Sequence, residues 1–404
     1  MNNTLVLLFM ATLSLVCSCH SEQTENAASI SENIEIKQDS ILQKARFGKE
    51  LIEAFVPFVS PAIISNHETH LSYELNLANT YRLPMKLTKV EVYDIAKKDA
   101  PIAIYDSTYI DENLERPGLV AAEKSLFSGS QFGILNLWLS VANDKTPTQI
   151  YHQLSFEVQT ENGKSPVISL EKALIDFPKT TNLSLRAPFR KGNWFYYTFG
   201  HSNTRELTEG KSTYAQRYAI DWVAIGNDGT FMNGERRDEN ESFYSYGKEL
   251  LAVADGVVVA IQDSIPDNAG ESDERAIKLN RYNLSGNHLV LDIGNNINVV
   301  YAHLIPNSFK VKIGDRVKAG DVLGLLGNSG ESTGPHLHIH VETKHKLVLG
   351  GEGLPFHFNE YTQVSTFDKS VHIDSLFLTP NLPMQSLNQV IQNAVPIGMG
   401  IVRF

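Results

Sequence analysis

Short runs in which apolar and polar residues alternate fill the chain from Ser65 to Asp176. They are His70-Leu-Ser-Tyr-Glu-Leu-Asn-Leu, Met85-Lys-Leu-Thr-Lys-Val-Glu-Val-Tyr, Pro101-Ile-Ala-Ile-Tyr, Gly133-Ile-Leu-Asn-Leu-Trp-Leu-Ser-Val and Ile150-Tyr-His-Gln-Leu-Ser-Phe-Glu-Val. Successive side chains of an extended strand point to opposite faces, so a period of two broken by turn residues predicts a β-sandwich, immunoglobulin-like in type, over 61–182. Beyond the linker Leu185-Arg-Ala-Pro-Phe-Arg-Lys-Gly, a second series reads Ala219-Ile-Asp-Trp-Val-Ala-Ile, Glu249-Leu-Leu-Ala-Val-Ala, Gly256-Val-Val-Val-Ala-Ile, His288-Leu-Val-Leu-Asp-Ile, Ile297-Asn-Val-Val-Tyr-Ala-His and Asp321-Val-Leu-Gly-Leu-Leu. It predicts a second all-β domain over 190–365, with glycines at the bends. Ile41 to Phe58 reads as one short helix, and 366–404 as a C-terminal tail whose apolar stretches Leu376-Phe-Leu and Ile397 to Phe404 are free to pack on either domain.

One strand carries chemistry in its pattern. In Gly334-Pro-His336-Leu-His338-Ile-His340-Val-Glu342, three histidines recur at every second position among apolar residues. Their imidazoles share one face of the strand, and Leu337, Ile339 and Val341 share the other. The loop before it, Gly327-Asn-Ser-Gly-Glu-Ser-Thr-Gly334, is rich in turn formers and delivers the strand from the surface. Neutral imidazole is the commonest metal ligand, so this face reads as one wall of a zinc site. Asp221 sits inside the apolar run Ala219 to Ile225, where an unpaired carboxylate is costly and a metal ion would supply its partner. Tyr301-Ala302-His303 ends another apolar strand with a histidine. His67, His70 and His152 have no ligand pattern around them and read as ordinary strand or surface histidines.

Charge and cysteine usage narrow the setting. A net charge of -11 argues against nucleic acid as a partner, because its phosphates demand a basic face. Leu5 to Val16 is a largely apolar run of twelve residues, too short to span a bilayer as a helix but the length of a secretory signal core, so 1–18 is read as a signal peptide. Both cysteines, Cys17 and Cys19, lie just after it, which leaves no disulfide or cysteine metal site in the mature chain. Residues 19–60, rich in Ser, Glu, Asn and Gln, read as a tether. The residues around Cys19 resemble a bacterial lipobox; the resemblance implies cleavage before Cys19, lipidation of its thiol and a lipid anchor in the bacterial cell envelope after export across the inner membrane.

The segments around Asp221, Ala252-Val-Ala-Asp255-Gly-Val-Val, Gly286-Asn287, Tyr301-Ala-His303-Leu, Val311 to Gly324, and Gly327-Asn-Ser-Gly330 through Gly334-Pro-His336-Leu-His338 together resemble the lysostaphin-like (LytM-type) zinc peptidases that cut peptidoglycan peptides. The resemblance spans about 195 to 345 and follows the family's motif order. It implies an antiparallel β catalytic domain holding Zn2+, with Asp221 and His338 as ligands, His303 and His336 as the catalytic pair, and Asn287 and Tyr301 as candidate substrate contacts. The family's first ligand histidine sits four residues before the aspartate, where this chain has Arg217, which has no lone pair to give. Some relatives carry that histidine farther upstream, which makes His201 the leading third ligand. His340, standing where the family has a glutamate, is the rival ligand or a support that orients a ligand from behind.

A His-Asp-His set leaves one tetrahedral position for water, as catalytic zinc requires. The implied function is a zinc endopeptidase acting on peptidoglycan cross-links. A metal-free wall-binding or hydrolase-regulating module of the same fold is the alternative, and a lipoyl-like carrier, suggested only by Gly314-Asp-Arg-Val-Lys-Ala-Gly-Asp-Val-Leu-Gly324, leaves the histidine strand unexplained. The two inserted loops, Asn227 to Gly247 and Asp263 to Ser285, flank the expected groove and read equally as specificity loops or solvated excursions.

Overall fold

The computed structural model describes residues 51–404 apart from 66, 121–122, 164, 199, 369–370, 372–381 and 385–386. The signal peptide, Cys19, most of the tether and Leu376-Phe-Leu therefore fall outside the described residues. No described helix is long and apolar enough to cross a membrane.

The N-terminal half is a β-sandwich. One sheet orders Ile52–Phe55, Glu68–Asn79, Phe132–Ala142 and Leu114–Glu115, with Ile63–Ser65 pairing on Glu68–Asn79. The other orders Val167–Asp176, Gln149–Val158, Met85–Asp94 and Ala103–Tyr105, with Leu126–Phe127 on Met85–Asp94. Leu71, Tyr73, Leu75 and Leu77 from the first sheet meet Leu87, Val90, Leu154 and Phe156 from the second in one core. Residues 52–55, inside the stretch expected to be tether and short helix, are an extended edge strand, paired antiparallel with Asn76 to Asn79. The buried side of Ile52 completes the sandwich core there, and this burial overrides helix propensity. The one α-helix among the described residues is Ser107–Asn113, N-capped by Asp106, which accepts from the Tyr109 amide.

The C-terminal half is built on an eleven-stranded sheet. Its central strands run in the order Met399–Arg403, Asn193–Tyr197, Ile220–Ile225, Leu337–Thr343, Ile297–Leu304, Asn287–Asp292 and Gly256–Gln262, each antiparallel to its neighbours. The stretch Ile397 to Phe404 thus enters this sheet as a strand between Asn193–Tyr197 and His357–Phe367. One face packs Trp194, Tyr196, Ile220, Trp222, Leu337, Ile339, Val341, Val299 and Tyr301 into the main core, closed from beyond by Leu250 and Leu323 of the small Glu249–Leu251/Val322–Leu325 pair. The opposite face is apolar only at one end, where Phe195, Val223, Ile225, Phe231 and Ile401 cluster. At the other end the same face carries Asp221, His338 and His340.

Candidate metal centre

Register places the site. Asp221 lies directly opposite His338 across the Ile220–Ile225/Leu337–Thr343 pair, while Trp222 faces Leu337 and Ile220 faces Ile339. On the other side of the histidine strand, Ala302 faces His338 and Val300 faces His340. The small Ala302 leaves room over His338 on the site face.

His303 breaks the alternation. By parity it would share the core face with Tyr301, yet its ring centroid lies 4.7 Å from that of His336 and 6.0 Å from that of His338. The cause is a bulge: Asn287 pairs with Leu304 and Leu289 with Tyr301, so His288 alone opposes both Ala302 and His303. His303 takes a φ of 66°, the left-handed region that costs a side-chain-bearing residue about 1 kcal/mol or more. Three hydrogen bonds hold it there: its amide donates to Ser285 O at 3.1 Å, its carbonyl accepts from Gly327 N at 3.0 Å, and its Nδ1–H donates to Ser329 O at 2.7 Å. A carbonyl can only accept, so Nδ1 carries the proton and Nε2 presents its lone pair to the site. His336 is fixed likewise, its Nδ1–H donating to Gly334 O at 2.9 Å.

Asp221 is the hub. Its Oδ2 lies 2.8 Å from His201 Nε2, and its Oδ1 lies 2.9 Å from His338 Nδ1 and 3.7 Å from His336 Nε2. Burial alone would raise its pKa, but His201 and His336 outweigh that and hold the carboxyl well below its ordinary range. Burial opposes the charged form of His201, and the Asp221 carboxylate overcomes it, so that pKa is raised. His303 and His340 are driven well down and His338 down, in each case first by burial, so these rings are neutral at physiological pH.

The ligand atoms of His201, Asp221 and His338 all lie within 4.8 Å of one another. Two imidazole nitrogens and a carboxylate oxygen converging in this way suit zinc, so the donor set fits the expected metal. His340 stands behind this set rather than in it, with its Nδ1 3.0 Å from His338 Nε2. With His338 Nδ1 turned toward Asp221, its Nε2 is the atom that faces His340. Arg217 points away from the site altogether, to Glu74, Glu352 and Gly353.

Two expected substrate contacts are corrected. Asn287 is fully buried, its side-chain amide donating to Ile265 O and Leu304 O and its Oδ1 accepting from Ile265 N. Tyr301 is fully buried on the core face, where its hydroxyl accepts from Val253 N at 2.8 Å. Both are enclosed within the protein, out of a substrate's reach, and brace the scaffold.

Sequence reasoning missed an amide network behind the histidine loop. Asn328 Nδ2 donates to Asn240 Oδ1 at 2.9 Å and Gly270 O at 2.7 Å; Asn268 Nδ2 donates to Gly330 O and Ser332 O; Ser332 Oγ reaches Asn328 Oδ1 and stands 3.2 Å from His336 Nδ1. It stitches both inserted loops to 327–334, so they serve at least to position His336. The signal available was the density of Asn and Ser in three glycine-containing loops, which from sequence reads as turn chemistry. Glu342, the fourth member of the histidine face, was also passed over. It is buried, its Oε2 accepts from Gly351 N, and its Oε1 lacks a partner, as does His340 Nε2.

Residues 241–349 match the family described as peptidase family M23. That segment contains His303, His336, His338 and His340 and begins after Asp221. The curated relatives include an uncharacterized metalloprotease of Buchnera aphidicola, 34% identical over 108 residues, covering 27% of this chain and 23% of that protein. A peptidoglycan DD-endopeptidase of Vibrio cholerae, ShyA, is 39% identical over 64 residues, 16% of this chain and 14% of its own. The glycyl-glycine endopeptidase ALE-1 of Staphylococcus capitis is 56% identical over 39 residues, 10% of each chain. The matches thus span about a quarter or less of these relatives' length. Among solved structures, the catalytic domain of lysostaphin from Staphylococcus simulans is 22% identical with a TM-score of 0.22, covering 41% of this chain and 88% of that one. A zinc-containing peptidase from Vibrio cholerae is 14% identical with a TM-score of 0.24, covering 71% and 82%. The match over 241–349 is to the family that the resemblance implied.

Two outcomes follow from this geometry. Tyr301→Phe should cost about 1–3 kcal/mol in urea unfolding, because it leaves the buried Val253 N–H without an acceptor; an unchanged midpoint would return Tyr301 to the list of substrate contacts. Burial pushes the Glu342 carboxyl from its ordinary value of 4.5 up to about 7. A pKa raised in the folded state adds stability that is complete below about pH 4.5 and lost as pH rises through about 7. Glu342→Gln should therefore flatten the pH dependence of unfolding free energy between pH 4 and 8 by up to a few kcal/mol. Parallel curves for the two proteins would show that Glu342 ionises freely.

Proposed function

We propose that the protein is a zinc-dependent endopeptidase that hydrolyses peptide cross-links of bacterial peptidoglycan. The observation that carries the reading is the convergence of His201, Asp221 and His338 beside two histidines whose Nε2 atoms face the same space. The names of the Vibrio cholerae and Staphylococcus capitis relatives support a cell-wall peptide as substrate.

His201 Nε2, a carboxylate oxygen of Asp221 and His338 Nδ1 would hold the zinc, with His340 buttressing His338 through Nε2. Bound zinc supplies Lewis acidity, lowering the pKa of a water and polarising the scissile carbonyl. His303, kept neutral by burial and aimed by Ser329 O, accepts a proton from the attacking water at Nε2. His336, more exposed and with its Nε2 3.7 Å from Asp221 Oδ1, stands beside the reacting carbonyl, where it steadies the developing oxyanion and hands a proton to the leaving amine. The strained backbone of His303 means that the base is positioned before substrate arrives.

Purified chain lacking the apolar N-terminal segment should bind one zinc and reduce the cross-linked muropeptides in digests of isolated peptidoglycan, read by mass spectrometry. Chelation should stop the loss and zinc restore it. His201→Ala should lower zinc affinity by orders of magnitude, and His340→Ala by about ten- to a hundred-fold; equal effects would place the third ligand on the strand. His303→Ala should keep zinc and lose turnover. A wild-type chain that takes up zinc yet leaves peptidoglycan intact would instead fit a wall-binding or regulatory module.

We further propose export and a lipid anchor at Cys19, which places the enzyme in the cell envelope. Cys19→Ser should move the protein from the membrane to the soluble fraction; unchanged fractionation and mass would remove the anchor from the scheme.

A further inference from the structure

At the middle of the alternating strand Glu68–Asn79, the polar side does not face water. Leu71, Tyr73, Leu75 and Leu77 fill the sandwich core, and Ser72 and Glu74, on the opposite face, are buried under the peptidase domain. Tyr218 of that domain presents its hydroxyl to Ser60 Oγ at 2.6 Å, and its ring meets Trp138 edge to face at 6.1 Å. Glu74 takes both Nε and Nη2 of Arg217, at 3.2 and 2.7 Å, and the same guanidinium reaches Glu352 Oε2 at 3.1 Å and Gly353 O at 3.2 Å. Such a two-pronged, fully buried pair fixes orientation as well as distance.

A second pair lies beside the first. Asn136 stands directly opposite Glu74 in the sheet and donates to Glu115 Oε1 at 3.0 Å, while Glu115 Oε2 accepts from Arg205 Nε at 3.1 Å. Tyr214 lies beside these pairs, its ring 5.5 Å from the Arg217 guanidinium. The two arginines have matching places in the chain: Arg205 follows His201 by four residues, and Arg217 precedes Asp221 by four. The hairpin that follows His201, Glu206–Thr208 with Lys211–Thr213, is a separate two-stranded piece outside the main sheet. Its other ties are Arg281 Nη1 to Leu207 O at 3.3 Å, Arg281 to Glu206 at 4.0 Å, and Lys346 to Glu209 at 2.6 Å.

We propose that the sandwich is a clamp on the metal-ligand segments: its carboxylates Glu74 and Glu115 grip Arg217 and Arg205 and so position Asp221 and His201. The clamp rests on the zinc reading given above for those two residues. Glu74 and Glu115 are positioning residues, since neither reaches a ligand atom itself. Of the two, Glu115 holds the segment with fewer ties to the sheet, so its effect on the site should be the more separable from folding.

The test uses the chain without its apolar N-terminal segment and two readouts, zinc affinity by chelator competition and amide hydrogen exchange across 200–221 in zinc-free protein. Glu74→Gln and Glu115→Gln should each weaken zinc binding by about ten- to a hundred-fold, the range seen when the support of a ligand is lost, and should speed exchange in 200–221. The reversed pair Arg205→Glu with Glu115→Arg should recover both. Folded variants with wild-type affinity and exchange, or a reversed pair that recovers neither, would overturn the clamp. If Glu74→Gln fails to fold, the pair built on Glu115, whose side chain is 30% exposed, decides the question. A wild-type chain that binds no zinc would defeat the function reading, and exchange alone would then decide for or against the clamp.

Discussion

The site depends on the pairing of Asp221 with His338 across two adjacent antiparallel strands. A buried carboxylate in an apolar strand is tolerable only where cationic or hydrogen-bonding groups surround it, and here His201 and His338 lie within 3 Å of its oxygens. Because side chains alternate, the register that sets Asp221 against His338 also sets Trp222 against Leu337 and Ile220 against Ile339. Slipping one residue would bury the imidazoles in the main core and expose the tryptophan. The apolar packing of one face therefore enforces the polar geometry of the other.

His303 is the exception that alternation cannot supply. A regular strand would send it into the core beside Tyr301, and only the bulge opposite His288 turns it outward. The left-handed backbone this requires is uphill, so its hydrogen bonds to Ser285, Gly327 and Ser329 are what keep it populated. The loop 327–334 thereby holds both histidines of the pair, His303 through the Ser329 carbonyl and His336 through Gly334. The Asn240, Asn268 and Asn328 amides in turn hold that loop.

Period-two patterning made the sandwich strands and the histidine face legible in the sequence, and the cost of a buried charge marked Asp221. Those signals are local. What escaped depends on partners far along the chain. Met399–Arg403 lies between strands that begin near 193 and 357, so its apolar character said that it packs but not where. Asn287 and Tyr301 looked available because sequence does not show that their polar atoms are spent on Ile265, Leu304 and Val253. The alternation around Glu74 gave a strand without saying what covers its polar side, since a polar face under water and one under an arginine have the same pattern; here it is a domain interface.

Arg217 ties these threads together. At four residues before Asp221 it occupies the place from which a short-spacing relative would offer a histidine, but its side chain runs to Glu74, Glu352 and Gly353 and is among the largest fully buried groups in the protein. A histidine there would be too short to reach both carboxylates, and would leave Glu74 buried without its cation, an arrangement more costly than losing the pair entirely. Docking the sandwich and supplying a metal ligand are therefore competing uses of one position. In this chain docking occupies it, and the second imidazole beside Asp221 comes from His201, on a separate loop that the same sandwich face holds through Arg205 and Glu115.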